Sequence, residues 1–246
     1  MLKIKHQSNT LKNQLIQLAN NKKTSHLISL NKLVKGSFLV QENKPVNGIY
    51  FILQGKVKVF NTEQNNKIKI FRLVVKDDLV GYSSLNSTYY WSSAIALSDV
   101  EAYFINVESL TYILKNNKEL SFLFINALSL KLHQYEIRQR YLDLFPAPIR
   151  VIEVLLLIAH KFGIITEEGI ELKDCVSRKE IASMANTSTE KAIRTISLLK
   201  SKEYISLDAK VIIIKNKEAL IELLKKYCCE SKIKVNDPTC YLNIFY

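Results

Sequence analysis

The stretch "SRKEIASMANTSTEKAIR", residues 177 to 194, holds one short pattern twice, Ser177-x-x-Glu180 and Thr187-x-x-Glu190. In this pattern the hydroxyl accepts a hydrogen bond from the backbone N–H three residues on, and the Glu reaches back to the first residue's own N–H. Each copy predicts a helix start. The first helix then ends near Ala185, and Asn186 tolerates the left-handed turn that joins it to the second. A short helix, a tight turn and a second helix make a helix-turn-helix, whose second member lies in the DNA major groove.

The flanking residues extend this unit. After the second helix, "YISL", a turn near Asp208 and "KVIIIK" predict a β-hairpin, the wing of a winged helix. Before it, Ile149 to Phe162 is read as an amphipathic helix stopped by Gly163. Pro146 and Pro148 end a longer helix and are read as a hinge, because the residue before each proline is pushed out of the α region. "EALIELLKKYCC" is helix-like, and the segment beyond it stays unassigned.

That longer helix contains "LSFLFINALSLKLHQYEIRQRYLDL", in which Leu120, Leu123, Ala127, Leu130, Gln134, Ile137 and Tyr141, with Leu144, recur at spacings of three and four. A seam of about three heptads predicts pairing with a second copy, Gln134 setting the register. The alternative is packing on the chain's own domain, which Phe122, Phe124, Ile125 and Leu128 suit on one flank.

From Leu27 to about Ile105 the runs "SFLV", "GIYFIL", "KVKVF", "KIKIFRLVV", "SSAIAL" and "VEAYFI" are β-rich and divided by turn residues. Lys56 to Phe60 and Lys67 to Phe71 alternate polar and apolar on either side of "NTEQNN", which predicts a hairpin in an antiparallel barrel or sandwich.

Of 246 residues 48% are apolar, enough for a sizeable core in one or two domains. The net charge of +12 favours polyanionic partners, although a Lys- and Asn-rich composition throughout also accounts for it. Cys175, Cys228, Cys229 and Cys240 form no regular framework and match no zinc spacing, so neither a disulfide scaffold nor a metal is expected. No apolar run reaches membrane-spanning length, and no secretory signal is seen, so a cytoplasmic protein with no membrane partner is expected. No nucleophile-and-base arrangement, carboxylate pair or phosphate-cradling loop points to an enzyme.

The order of these parts resembles the Crp/Fnr family of bacterial transcription regulators over roughly residues 31 to 215. The resemblance rests on "KGSFLVQENKPVNGIYFILQGKVKVF", on "DDLVGYSSL" and on "SRKEIASMANTSTEKAIRTISLLKSKEYI". It implies an α+β chain with an N-terminal double-stranded β-helix (jelly-roll) barrel over residues 1–115. A dimerisation helix over 116–145 and a C-terminal winged helix-turn-helix with an extension over 146–246 follow. A homodimer, double-stranded DNA and RNA polymerase are the implied partners.

On the second helix, Ser188, Thr189, Glu190, Lys191 and Arg194 occupy the first two turns, which face base edges. Glu190 suits a cytosine amine and Arg194 a guanine edge. Glu190 is equally placed to cap Thr187 or to pair with Arg194. Arg178, with Lys179 and Lys200, suits phosphates or solvent.

The family's cyclic-nucleotide binders are expected to carry a Glu after the loop glycine and an Arg beside a Ser at its far end. In "GYSSLNSTYYWSSA" Gly81 is followed by Tyr82, Ser92 stands in the Arg position and Ser93 keeps the Ser. With no cation in the loop, cyclic AMP is not expected to bind, since an unpaired buried phosphate is expensive. Gly81, Tyr82, Ser83, Ser92 and Ser93 leave three readings open, a neutral or weakly polar small-molecule effector, a pocket filled by its own side chains, or another kind of signal. No cofactor is implied.

Overall fold

The computed structural model describes residues 2–63, 67–173, 176–209 and 211–230. It divides into two compact units, Met1–Leu132 and His133–Tyr246, within which the parts below are placed separately.

In the first unit, helix α1 (Leu2–Asn20) precedes eight strands: β1 (Ser29–Leu33), β2 (Phe38–Val40), β3 (Gly48–Gln54), β4 (Val57–Thr62), β5 (Ile68–Val74), β6 (Leu79–Val80), β7 (Ser93–Ala96) and β8 (Val100–Asn106). They form two antiparallel four-stranded sheets, in the orders β1-β8-β3-β6 and β2-β7-β4-β5. This is the jelly roll expected, with β4 and β5 as the hairpin, Val57 opposite Val74.

Strand β3 reads as an unbroken apolar run because both its faces are covered. Tyr50 and Ile52 pack between the sheets with Val57, Val80 and Tyr90. Ile49 and Phe51 face outward, onto Leu11 and Leu15 of α1, Leu110 and Ile113 of α2 (Val107–Asn116), and Leu120 and Phe124 of α3 (Lys118–Leu144). Alternate side chains of a strand point to opposite faces, so a helix-covered core and a sheet-covered core share one strand.

Helix α1 is absent from the sequence reading. Its Leu11 and Leu15, one turn apart, are buried, and the Lys12 ammonium meets the Asp77 carboxylate at 2.9 Å. Five polar residues break the run Leu11–Asn20, so its apolar stripe is only as wide as the barrel face it covers.

The residues of the expected α3 seam lie in different surroundings within the chain. Leu120 is 1% exposed within the barrel's outer core, and Leu123 and Ala127 pack against the same cluster. Tyr141 is 2% exposed and stacks on Phe145, ring centroids 5.0 Å apart. Leu130, Gln134 and Ile137 are half-buried. The chain therefore closes over both ends of the expected seam. The large apolar side chains α3 leaves in solvent are Phe122, Ile125, Leu132 and Tyr135, with Leu144 at its end. Phe122, Ile125, Ser129 and Leu132 recur at spacings of three, four and three, a heptad stripe displaced from the expected one.

In the second unit, α4 (Ala147–Phe162) begins two residues earlier than expected, because Pro146 takes the N-cap and Pro148 falls in the first turn, where its missing N–H is no loss. Nor is α4 amphipathic: Val151 to Ala159 are all buried, Glu153 included. Around it lie α5 (Arg178–Met184), α6 (Thr189–Ser201) and α7 (Lys217–Glu230), the last through buried Leu220, Ile221 and Leu224.

The wing is larger than a hairpin. Strands β9 (Ile164–Thr166), β10 (Gly169–Glu171), β11 (Ile205–Asp208) and β12 (Val211–Ile214) form a sheet in the order β11-β12-β10-β9. The stretch "GIITEEGIEL", to which the sequence assigns no element, supplies the two added strands. No described helix is long and apolar enough to cross a membrane. Cys175 and Cys240 lie outside the described residues, as do the side chains of Cys228 and Cys229.

Candidate nucleic-acid interface and effector loop

The capping box that starts α5 is present as expected. The Glu180 N–H donates to Ser177 Oγ at 3.2 Å and the Ser177 N–H donates to Glu180 Oε2 at 2.7 Å. Helix α5 then stops at a Schellman turn: the Thr187 N–H donates to the Ala182 carbonyl and the Asn186 N–H to the Ser183 carbonyl. Asn186 takes the left-handed conformation, φ +47°, as its side chain type suggests.

That turn moves the start of α6. The Thr187 N–H is spent on Ala182, and the N-cap passes to Ser188, whose hydroxyl accepts from the Lys191 N–H at 3.2 Å. The second capping box is thus not formed. Glu190, released from capping, meets Arg194 instead, Oε1 to Nη2 at 2.5 Å, with both side chains more than 70% exposed. An exposed pair of this kind contributes about 0.3–0.5 kcal/mol. It also aligns two hydrogen-bonding heads side by side in the first two turns.

Helix α6 divides cleanly into two faces. Ala192, Thr195, Ile196 and Leu199 are buried, at the i, i+3, i+4, i+7 spacing of a core stripe. Ser188, Thr189, Glu190, Lys191, Ile193, Arg194 and Ser197 are exposed. All five residues assigned to base contact from the sequence are on the free side; Ile193 was not among them. Its apolar character concealed it, and only its spacing, three after Glu190, marks the face. Arg178 opens α5 half-buried, and burial lowers its pKa from the ordinary guanidinium value, so part of its desolvation is already complete.

Two arginines fix the turn from behind. Arg150 of α4 donates from Nε to the Ala185 carbonyl at 2.8 Å and from Nη2 to the Asn186 carbonyl at 2.9 Å. Its Nη1 donates to the Leu142 and Phe145 carbonyls at the end of α3, at 2.8 and 3.1 Å. Arg138 of α3 donates to the Met184 carbonyl at 2.9 Å. The last turn of α3 and the turn of the helix pair are thereby joined through one planar cation. Pro146 and Pro148, read as a hinge, lie in sequence between Phe145 and Arg150, which are joined by the bond from Arg150 to the Phe145 carbonyl.

In the barrel, Gly81 has φ +87° and begins a short 3-10 turn through Tyr82 to Ser84. A Cβ there would lie 3.0 Å from the Gly48 carbonyl and 3.4 Å from the Tyr90 ring. Tyr90, outside the residues assigned to the pocket, is 3% exposed and belongs to the core between the sheets. Its hydroxyl lies 2.6 Å from Asn47 Oδ1 and 2.7 Å from the Gly48 carbonyl, and accepts from the Gly48 N–H at 3.1 Å. Burial raises its pKa above the ordinary phenol value.

The assigned pocket residues are dispersed in role. Ser93 is buried, and its hydroxyl accepts from the Glu42 N–H at 3.0 Å. Ser92 is half-buried and Ser83 exposed. Tyr82 lies under the Arg72 guanidinium, 4.9 Å from the ring centroid, and its own hydroxyl pKa is raised chiefly by burial.

The loop itself lacks a cation, yet two reach its base from other elements. Lys131 of α3 meets the buried Asp78 carboxylate at 2.7 Å, and Arg72 of β5 lies 3.7 Å from it while donating to the Leu79 carbonyl at 3.0 Å. The one Asp78 carboxylate thus faces both cations. Among the described residues no group of three His, Cys, Asp or Glu is disposed to hold a metal ion.

Comparison with known proteins finds two family matches along the chain. Residues 30–117 match the family described as "Cyclic nucleotide-binding domain", and residues 149–223 match "Crp-like helix-turn-helix domain". The "Global nitrogen regulator" of Nostoc sp. is 27% identical over 166 residues, 66% of this chain and 74% of its own. The "CRP-like cAMP-activated global transcriptional regulator" of Mycobacterium tuberculosis is 24% identical, covering 69% of this chain and 76% of its own. Among solved structures, a CRP/FNR family transcriptional regulator from Thermus thermophilus superposes with a TM-score of 0.71 over 80% of this chain and 98% of that one, at 20% identity.

Proposed function

The chain belongs to the Crp/Fnr family of transcription regulators, and from that premise we propose that it is a cytoplasmic homodimer that reads an inverted-repeat operator through α6. The observation that carries this reading is the free face of α6. Its exposed side is polar apart from Ile193 and Leu198 and bears Lys191 and Arg194, it is held by a capped helix pair, and the chain carries +12 overall. Phosphates attract such a surface without regard to sequence, while Glu190 and Arg194 supply the base-edge chemistry.

The exposed heptad of Phe122, Ile125 and Leu132 supports the dimer, because a second copy of α3 buries what one copy leaves in water. Two recognition helices related by a two-fold axis read half-sites about one helical turn apart. RNA polymerase is the further partner of a regulator of this kind.

The barrel operates without cyclic AMP. Tyr82 and Ser92 stand where a ribose-binding Glu and a phosphate-binding Arg are expected, Ser93 already holds Glu42, and Tyr90 fills the space beside Gly81. Selection of bound sequences from random duplexes at near-physiological salt tests the whole reading. An inverted repeat is expected; enrichment of nothing, with binding that vanishes as salt rises, contradicts it.

A further inference from the structure

We infer that Ile193 is a specificity-determining residue that recognises the C5-methyl group of a thymine within each half-site, an assignment that rests on the DNA-reading function proposed above. Ile193 is 47% exposed, the fifth residue of α6 and therefore in its second turn. It lies three residues after Glu190 and directly before Arg194, on the face that bears both. It lies outside the buried stripe, which Ala192, Thr195, Ile196 and Leu199 supply. Leu198, also exposed, falls a turn further on, past the residues that reach base edges.

The major groove offers a branched apolar side chain one matching group. Every base edge there presents hydrogen-bond donors or acceptors, and thymine alone adds a methyl. Flanked by Glu190, suited to a cytosine amine, and Arg194, suited to a guanine, Ile193 has no polar group with which to read either base. Its β-branched side chain also holds few rotamers on a helix, so its methyl groups are presented without a large entropic cost on contact.

Deoxyuridine differs from thymidine only by that methyl group and keeps its hydrogen-bonding pattern. In the selected operator, thymines are replaced one symmetric pair at a time by deoxyuridine, and binding of the full-length protein is followed by fluorescence anisotropy. One position is expected to weaken binding about fourfold per half-site, the value of burying one methyl group. Ile193→Ser, whose site is in solvent, should keep its melting temperature, bind the thymine operator more weakly and lose all response at that position. Ile193→Val should retain the response. An operator that tolerates uracil at every thymine, or an Ile193→Ser variant that still senses the substitution, overturns the assignment while leaving the DNA reader intact. Failure to recover any preferred sequence overturns the function itself and this assignment with it.

Discussion

Arg150 Nη2 donates to the carbonyl of Asn186, the left-handed residue at the centre of the helix-turn-helix, at 2.9 Å. The same guanidinium holds Leu142 and Phe145 at the end of α3, so it closes the C-terminal carbonyls of two helices at once. Replacing it leaves several carbonyls without their donor. Arg150→Gln should lower stability by about 2–3 kcal/mol, as expected for loss of charge-assisted hydrogen bonds. Calorimetry should place this loss in the melting of the DNA-binding unit. Arg150→Lys cannot span four carbonyls and should recover little.

Glu190 and Arg194 separate reading from folding. Their exposed pair contributes about 0.3–0.5 kcal/mol, so Glu190→Ala should barely move the melting temperature. Each good base contact discriminates by about 1–3 kcal/mol, so either alanine variant should lose about ten- to a hundredfold in affinity for the selected site. Affinity for unrelated duplexes should change much less. Anisotropy titrations on both kinds of duplex check this.

Charge on the exposed stripe of α3 should divide the dimer. Ile125→Glu or Phe122→Glu places a carboxylate in what is proposed to be a dry seam, and sedimentation velocity should show a folded monomer. Leu120→Ala acts differently. Leu120 is buried against the barrel, so its truncation should cost about 2–5 kcal/mol of stability while leaving association unchanged at temperatures where the protein is folded.

Tyr90 should be a structural plug. Tyr90→Phe removes the hydroxyl that joins exposed Asn47 to buried Gly48, takes a partner from the buried Gly48 backbone, and should cost about 1–3 kcal/mol in denaturant unfolding. Calorimetric titration of the parent protein with cyclic AMP should give no saturable heat; micromolar affinity would contradict the pocket reading.

Local chemistry was the most legible part of the chain. The Ser177 and Glu180 box, the left-handed Asn186 and the alternation of β4 can each be read within a few residues, because the groups that satisfy them are close in sequence. The start of α6 was displaced by one residue because a turn bond to Ala182 competes for the Thr187 N–H, and a pattern of residue types does not include that competition. On α3, two apolar stripes satisfy the same three-and-four spacing. The barrel takes the first part of one of them, Leu120, Leu123 and Ala127, and nothing in the periodicity says which stripe it takes. Tyr90 with Gly48 and Lys131 with Asp78 join residues more than forty positions apart, so neither the plug nor the ion pair at the loop could be read from a local pattern. Ile193 was concealed for another reason: an apolar residue on a helix is first taken for core.

Orientation dependence tests the dimeric reader most directly. The selected half-site is placed in duplexes of equal length and composition as an inverted repeat, a direct repeat or a single copy, and anisotropy is measured at near-physiological salt. The inverted repeat should bind at least about tenfold more tightly than either alternative, with two chains per duplex, because a two-fold dimer presents both α6 helices to it together. Equal affinity for all three arrangements, or one chain on the inverted repeat, would contradict the account.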